Sequence, residues 1–251
     1  MKRIFLSILC LLFLAALPAG ATEPTARSII GDALDQMRGQ TSESVNTMTI
    51  HRPDWERVMT IKGYTLGREY SIFWVLSPPK DEGNGTLKRE NEMWTYNPKV
   101  NRVIKLPPSM MAQSWMGSDF SNDDLAKSDT IVEDYDHNLT ETKTVDGKKV
   151  YVIESPAKPR APVIWGKLRF EIREDNVLLK EEFFDEDGQL VKTMDTLEIK
   201  TMGGRVLPTT WKIYKADVDD EYTLLVFDEV KFNLDLPADM FTRSALKNPP
   251  R

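Results

Sequence analysis

The sequence predicts a mainly β fold with a smaller helical share, an α+β domain of antiparallel strands. Three observations carry this. Apolar residues alternate with period two in several runs, turn dipeptides separate those runs, and a helical period is clear only once, near the start.

The elements follow in chain order. Lys2 and Arg3 precede an apolar run from Ile4 to Leu17, broken only by Ser7, and Pro18-Ala19-Gly20-Ala21 places small residues at both positions a signal peptidase reads. The apolar run is shorter than the about 20 residues of a membrane span. The reading is a secretory signal peptide over residues 1–21, cut after Ala21, so that the mature protein begins at Thr22 in the periplasm. The chain's single cysteine, Cys10, leaves with the leader. No disulfide framework, cysteine–metal site or lipid-bearing cysteine is then expected.

Residues 22–251 are expected to form one domain. Loss of Lys2 and Arg3 takes the formal net charge from −6 to −8. Such acidity opposes binding to nucleic acid, and it opposes simple adsorption to anionic headgroups.

Between Pro24 and Gly39, the residues Ile29, Ile30, Ala33, Leu34 and Met37 follow helical spacing, with Thr25 as cap and Gly39 as stop. Beyond it the period changes to two. Tyr70, Ile72, Trp74 and Leu76 alternate with Ser71, Phe73 and Val75. A second run covers Ile164 to Arg173, and a third Tyr222 to Phe232. Asn84-Gly85, Asp146-Gly147, Asp187-Gly188 and Gly203-Gly204 read as hairpin turns between roughly ten strands. The proline-rich stretch from Ser155 to Pro162 reads as a long connection within one continuous sheet, because the strands on its two sides look alike.

The catalytic inventory is thin. The two histidines, His51 and His137, lack zinc-ligand spacing, and no Gly-x-Ser-x-Gly turn presents a nucleophile. Ser118 and His137 could meet only by chance of folding. Asp185-Glu186-Asp187-Gly188 opens like a calcium loop but lacks its later ligands, so a hairpin turn is the reading. Asp217 to Glu221 reads as a solvated turn. No metal, cofactor or phosphate loop is expected.

The distinctive segment is apolar. Met110, Met111, Trp115, Met116 and Phe120 crowd into the stretch from Pro107 to Lys127, which is neither a regular strand nor a long helix. Methionines adapt to varied apolar partners, so the five could line a ligand site or plug a satellite core under a loop.

Three stretches here carry a family resemblance: Ser77–Leu87 (SPPKDEGNGTL), Glu92–Pro108 (EMWTYNPKVNRVIKLPP) and Gln113–Leu125 (QSWMGSDFSNDDL). They resemble the LolA-like outer-membrane lipoprotein-sorting proteins, and more closely a broader bacterial branch of that superfamily. The branch shows a Leu-Trp-x-Tyr-x-Pro strand and a Phe-Met-Gly-Ser-Asp-Phe block. Met93 and Trp115 replace their first residues here.

The resemblance implies a strongly curved antiparallel sheet forming an incomplete barrel. An N-terminal helix and short lid helices would cover its concave apolar face. Met110, Met111, Trp115, Met116 and Phe120 would form the lid, with Tyr70, Ile72 and Trp74 on the cavity wall. It implies a non-enzymatic, monomeric periplasmic carrier of lipid or of lipoprotein acyl chains. An inner-membrane lipid exporter or an outer-membrane acceptor would be its partner. A lipid-cleaving hydrolase and a module that senses envelope stress stand as alternatives.

Overall fold

Thr25 opens the first helix as expected: its hydroxyl accepts from the Ser28 N–H at 3.1 Å, and Gly39, at φ 63°, ends it. This helix, α1 (Ala26–Arg38), buries Ile29, Ile30 and Ala33. The computed structural model describes residues 23–128 and 130–249; the signal peptide expected over 1–21, its cut after Ala21, and Cys10 lie outside them.

Six strands follow: β1 (Thr41–Arg52), β2 (Trp55–Leu66), β3 (Tyr70–Ser77), β4 (Gly85–Arg89), β5 (Glu92–Asn97) and β6 (Arg102–Lys105). The central segment comes next, with α2 (Asn122–Lys127) and α3 (Ile131–Asp134). The second run comprises β7 (Asn138–Val145), β8 (Lys148–Pro156), β9 (Lys167–Arg173), β10 (Leu178–Phe184), β11 (Leu190–Met202), β12 (Arg205–Lys215) and β13 (Tyr222–Phe232). A short helix, α4 (Arg243–Lys247), closes the described chain.

The strands form one antiparallel sheet in the order β6-β5-β4-β3-β2-β1-β13-β12-β11-β10-β9-β8-β7. Two meanders meet where β1 pairs with β13, and the ends β6 and β7 stay apart, so the curved sheet does not close. The sheet continues across the proline-rich connection, since β8 pairs with β9.

The thirteen strands among the described residues exceed the roughly ten expected. Strands β4, β5 and β6 are too short for alternation to register. The turns between them, at Glu90 (φ 52°) and Asn101 (φ 47°), use no glycine. Two turn assignments hold as two-residue hairpins with positive φ: Asp146-Gly147 and Gly203-Gly204. Asn84-Gly85 does not. The turn ends at Asn84, and Gly85 lies in β4, where a Cβ would meet Leu246 Cδ1 at 2.7 Å. The run from Ile164 becomes strand only at Lys167. Gly166 passes within 2.5 Å, by its would-be Cβ, of the Asp185 carbonyl, which only a glycine permits.

Both faces of the sheet carry core. On the inner face, α1 packs on Ile153, Leu168, Phe170, Ile172, Phe183 and Ile213. A second inner cluster gathers Met48, Ile50, Met59, Ile61, Val75 and Met93 beneath the central segment, and Phe120 touches both clusters. The outer face of β2 to β5 holds a third cluster, Tyr64, Ile72, Trp74, Leu87 and Trp94, under Phe241 and Leu246 of the C-terminal tail.

Candidate functional site: a tethered lid over the inner face

The central segment is a closed loop held by its own backbone. A 3-10 turn at Pro108–Met110 starts it. Cross-bonds then run from Trp115 N–H to Phe120 O (2.7 Å), Asn122 N–H to Gln113 O (2.9 Å) and Asp123 N–H to Met111 O (2.9 Å). Its tip is Met116-Gly117, with φ 52° and 80°. A glycine Cβ at the tip would have nothing within 4 Å, so conformation and not space calls for Gly117.

Polar tethers fix this loop to the sheet. Asp119 receives a two-pronged contact from Arg52, at 3.0 and 3.2 Å, and the Thr223 hydroxyl at 2.7 Å. Arg57 donates to the Met116 carbonyl at 3.2 Å and is itself held by Asp81. Asp124 completes the capping box of α2 with Ser121, accepts from the Trp165 indole at 2.8 Å and pairs with Lys192. The Lys192 ammonium lies over the rings of Trp165 and Phe183, 4.8 and 4.5 Å from their centres. Losing one partner of such a buried pair typically costs about 3–5 kcal/mol, which is enough to make these tethers decide the lid's position.

Burial shifts the acids under the lid. Asp123 is pushed up to about 6 by desolvation, against a backbone hydrogen bond from Ile164 that favours its charge. Glu181 is pushed up to about 8 by desolvation and by the Asp124 charge, with Lys192 opposing. Its cross-strand neighbours are Phe170 and Met194, both in the α1 cluster. His137 contacts Ser155 Oγ at 2.8 Å and is lowered by burial, while Ser118 donates to the Trp115 carbonyl.

Of the eight residues singled out in the sequence, five gather. Met110, Met111, Trp115, Met116 and Phe120 all pack on the inner cluster. Trp115 is only 5% exposed; it donates to Thr86 Oγ1 at 3.0 Å and meets Phe73 edge-on at 6.2 Å. The other three do not join them. Tyr70, Ile72 and Trp74 lie on the outer face, where Trp74 donates to the Leu246 carbonyl at 2.9 Å. Alternation along β3 gives the reason: the inward residues are Phe73 and Val75.

A cleft of about 410 Å³ opens at the lid's edge, with Val75, Leu106, Met110, Trp115 and Met116 among its walls and Arg57 at its rim. Its size falls within the range of about 300–1,000 Å³ usual for small-molecule sites. The tethers Arg52, Asp119, Asp124 and Lys192 were not recognised in the sequence. No local signal marks them, because Arg52 and Lys192 lie 67 and 68 positions from the acids they hold.

A family model described as "uncharacterized protein"-like matches residues 67–248. No curated protein matches the chain. Three crystal structures share its fold. A DUF1329 family protein from Desulfovibrio piger is 24% identical, with TM-score 0.78 over 88% of this chain and 98% of that one. A LolA superfamily protein from Nitrosomonas europaea is 26% identical, with TM-score 0.74 over 88% and 99%. A domain described as an outer membrane lipoprotein-sorting protein, from Vibrio parahaemolyticus, is 19% identical, with TM-score 0.78 over 88% and 98%. The chain belongs to the family that this model describes, and its fold is LolA-like.

Proposed function

We propose that this protein is a non-enzymatic periplasmic carrier that takes a lipid, or the acyl chains of a lipoprotein, against its inner face under the lid. The observation that carries the reading is the make-up of that lid. Its position is fixed by a few polar tethers, while its contacts with the sheet join the buried Trp115 to three methionines and Phe120 that stay partly exposed. Methionine surfaces re-pack around varied apolar partners at small cost. The cleft beside Met110 and Met116 offers a path of entry.

Likeness to a LolA superfamily protein and to a domain described as an outer membrane lipoprotein-sorting protein supports the same cargo class and the periplasmic location. So does the sequence of the leader. No described helix is long and apolar enough to cross a membrane. The acidic net charge favours delivery through a protein partner, an inner-membrane lipid exporter or an outer-membrane acceptor, over direct adsorption to lipid.

The test is mass spectrometry of solvent extracts from protein purified out of the periplasm without detergent. A stoichiometric lipid or acylated peptide is expected. Extracts free of lipid, from protein that also fails to take up a fluorescent fatty acid, would contradict the reading.

A further inference from the structure

Asn46 stands out on the inner face of β1. It is 6% exposed, its side-chain N–H₂ donates to Ser44 Oγ at 2.9 Å, and its Oδ1 is buried with no hydrogen-bond partner among the described residues. Apolar residues stand on three sides of it. Ile61 on β2 and Phe227 on β13 lie directly opposite it, and Met48 is the next inward residue on its own strand. Phe227 in turn meets Trp211 edge-on at 5.4 Å. An amide end left unpaired in such a place is costly, commonly by more than a made hydrogen bond contributes. A buried water there would find few of the roughly three partners it normally needs.

The position ties this group to the proposed site. Across the sheet the register runs Asn46, Ile61, Val75, and Val75 forms part of the cleft wall at the lid's edge. Two strand spacings make that row about 10 Å long. An apolar chain entering at the cleft and lying along the row would end on Asn46. Opposite this point β13 bulges, with Asp228 the extra residue between the partners of Val45 and Asn46, Glu229 and Phe227.

We propose that Asn46 is a polar anchor in the lipid site, and that the cargo carries a hydroxyl or amide group within an otherwise apolar body. The inference rests on the carrier reading and narrows it. The anchor rewards a ligand able to hydrogen-bond at that depth and leaves the Asn46 amide unsatisfied under a plain chain. A site with a buried polar group discriminates in this way far better than an apolar pocket can.

Binding of octadecanoic acid and of a positional series of hydroxyoctadecanoic acids to the delipidated full chain tests this. One hydroxylated isomer should bind about tenfold more tightly than octadecanoic acid. Asn46→Leu, or Asn46→Ala if the first variant folds poorly, should bring the two affinities together. Equal affinities for every probe in the wild type, or a preference that survives both substitutions, would overturn the anchor and leave the carrier reading standing. If the wild type binds none of the probes and carries no extractable lipid, both fall.

Discussion

Glu181 shows how one residue reports on the inner face. Its carboxyl sits between Phe170 and Met194, and desolvation lifts it from 4.5 to about 8. The folded protein therefore holds a proton that the unfolded chain releases near pH 4.5. Stability tied to this group is complete below that value and is lost as pH rises through about 8. Glu181→Gln cannot ionise and escapes the loss. The variant should melt higher than the wild type at pH 8.5, by about 5 °C or more, with the gap closing toward pH 4.5. Melting curves across that range check it; a gap independent of pH would show that Glu181 is solvated. The same scale marks a limit of sequence reading. Asp119 and Asp124 look like surface acids in a polar stretch, and only the fold brings Arg52 and Lys192 to them from 67 and 68 positions away.

Among the elements, α1 was legible because cap, stop and apolar stripe all agree over thirteen residues. Strand β3 was legible as a strand but not in its orientation. Tyr70, Ile72 and Trp74 make one apolar face, Phe73 and Val75 the other, and alternation alone cannot say which face turns inward. What decides it is the C-terminal tail, whose five-residue helix α4 is too short to signal itself in sequence. Leu246 of α4 is fully buried against Trp74 and Leu87. Leu246→Ala should cost about 2–5 kcal/mol of unfolding free energy. Trp74 and Trp94 should then become more exposed, read as a red shift in tryptophan emission. A variant with unchanged stability and emission would show that the tail does not hold the outer face together.

For the molecule as a whole, strand and turn patterns were enough to foresee an antiparallel sheet with one helix, and the family resemblance implied its curvature. The strongly apolar central segment was likewise recognisable as something laid over that sheet. Within it Trp115 packs as a core residue does, while Met110, Met111 and Met116 stay partly open. The most direct test pairs two readings on one substitution, Met116→Asp: melting temperature, and lipid retained through purification. A carboxylate at the lid tip would have to be desolvated against an acyl chain or turn outward with the lid. With the loss of one large apolar contact, lipid binding should weaken by about 1.5–3 kcal/mol, a tenfold to more than hundredfold change. A carrier loses its lipid while its melting temperature stays near that of lipid-free wild type. A variant that melts well below a wild type carrying no lipid would instead make these residues core, and the carrier account would be wrong.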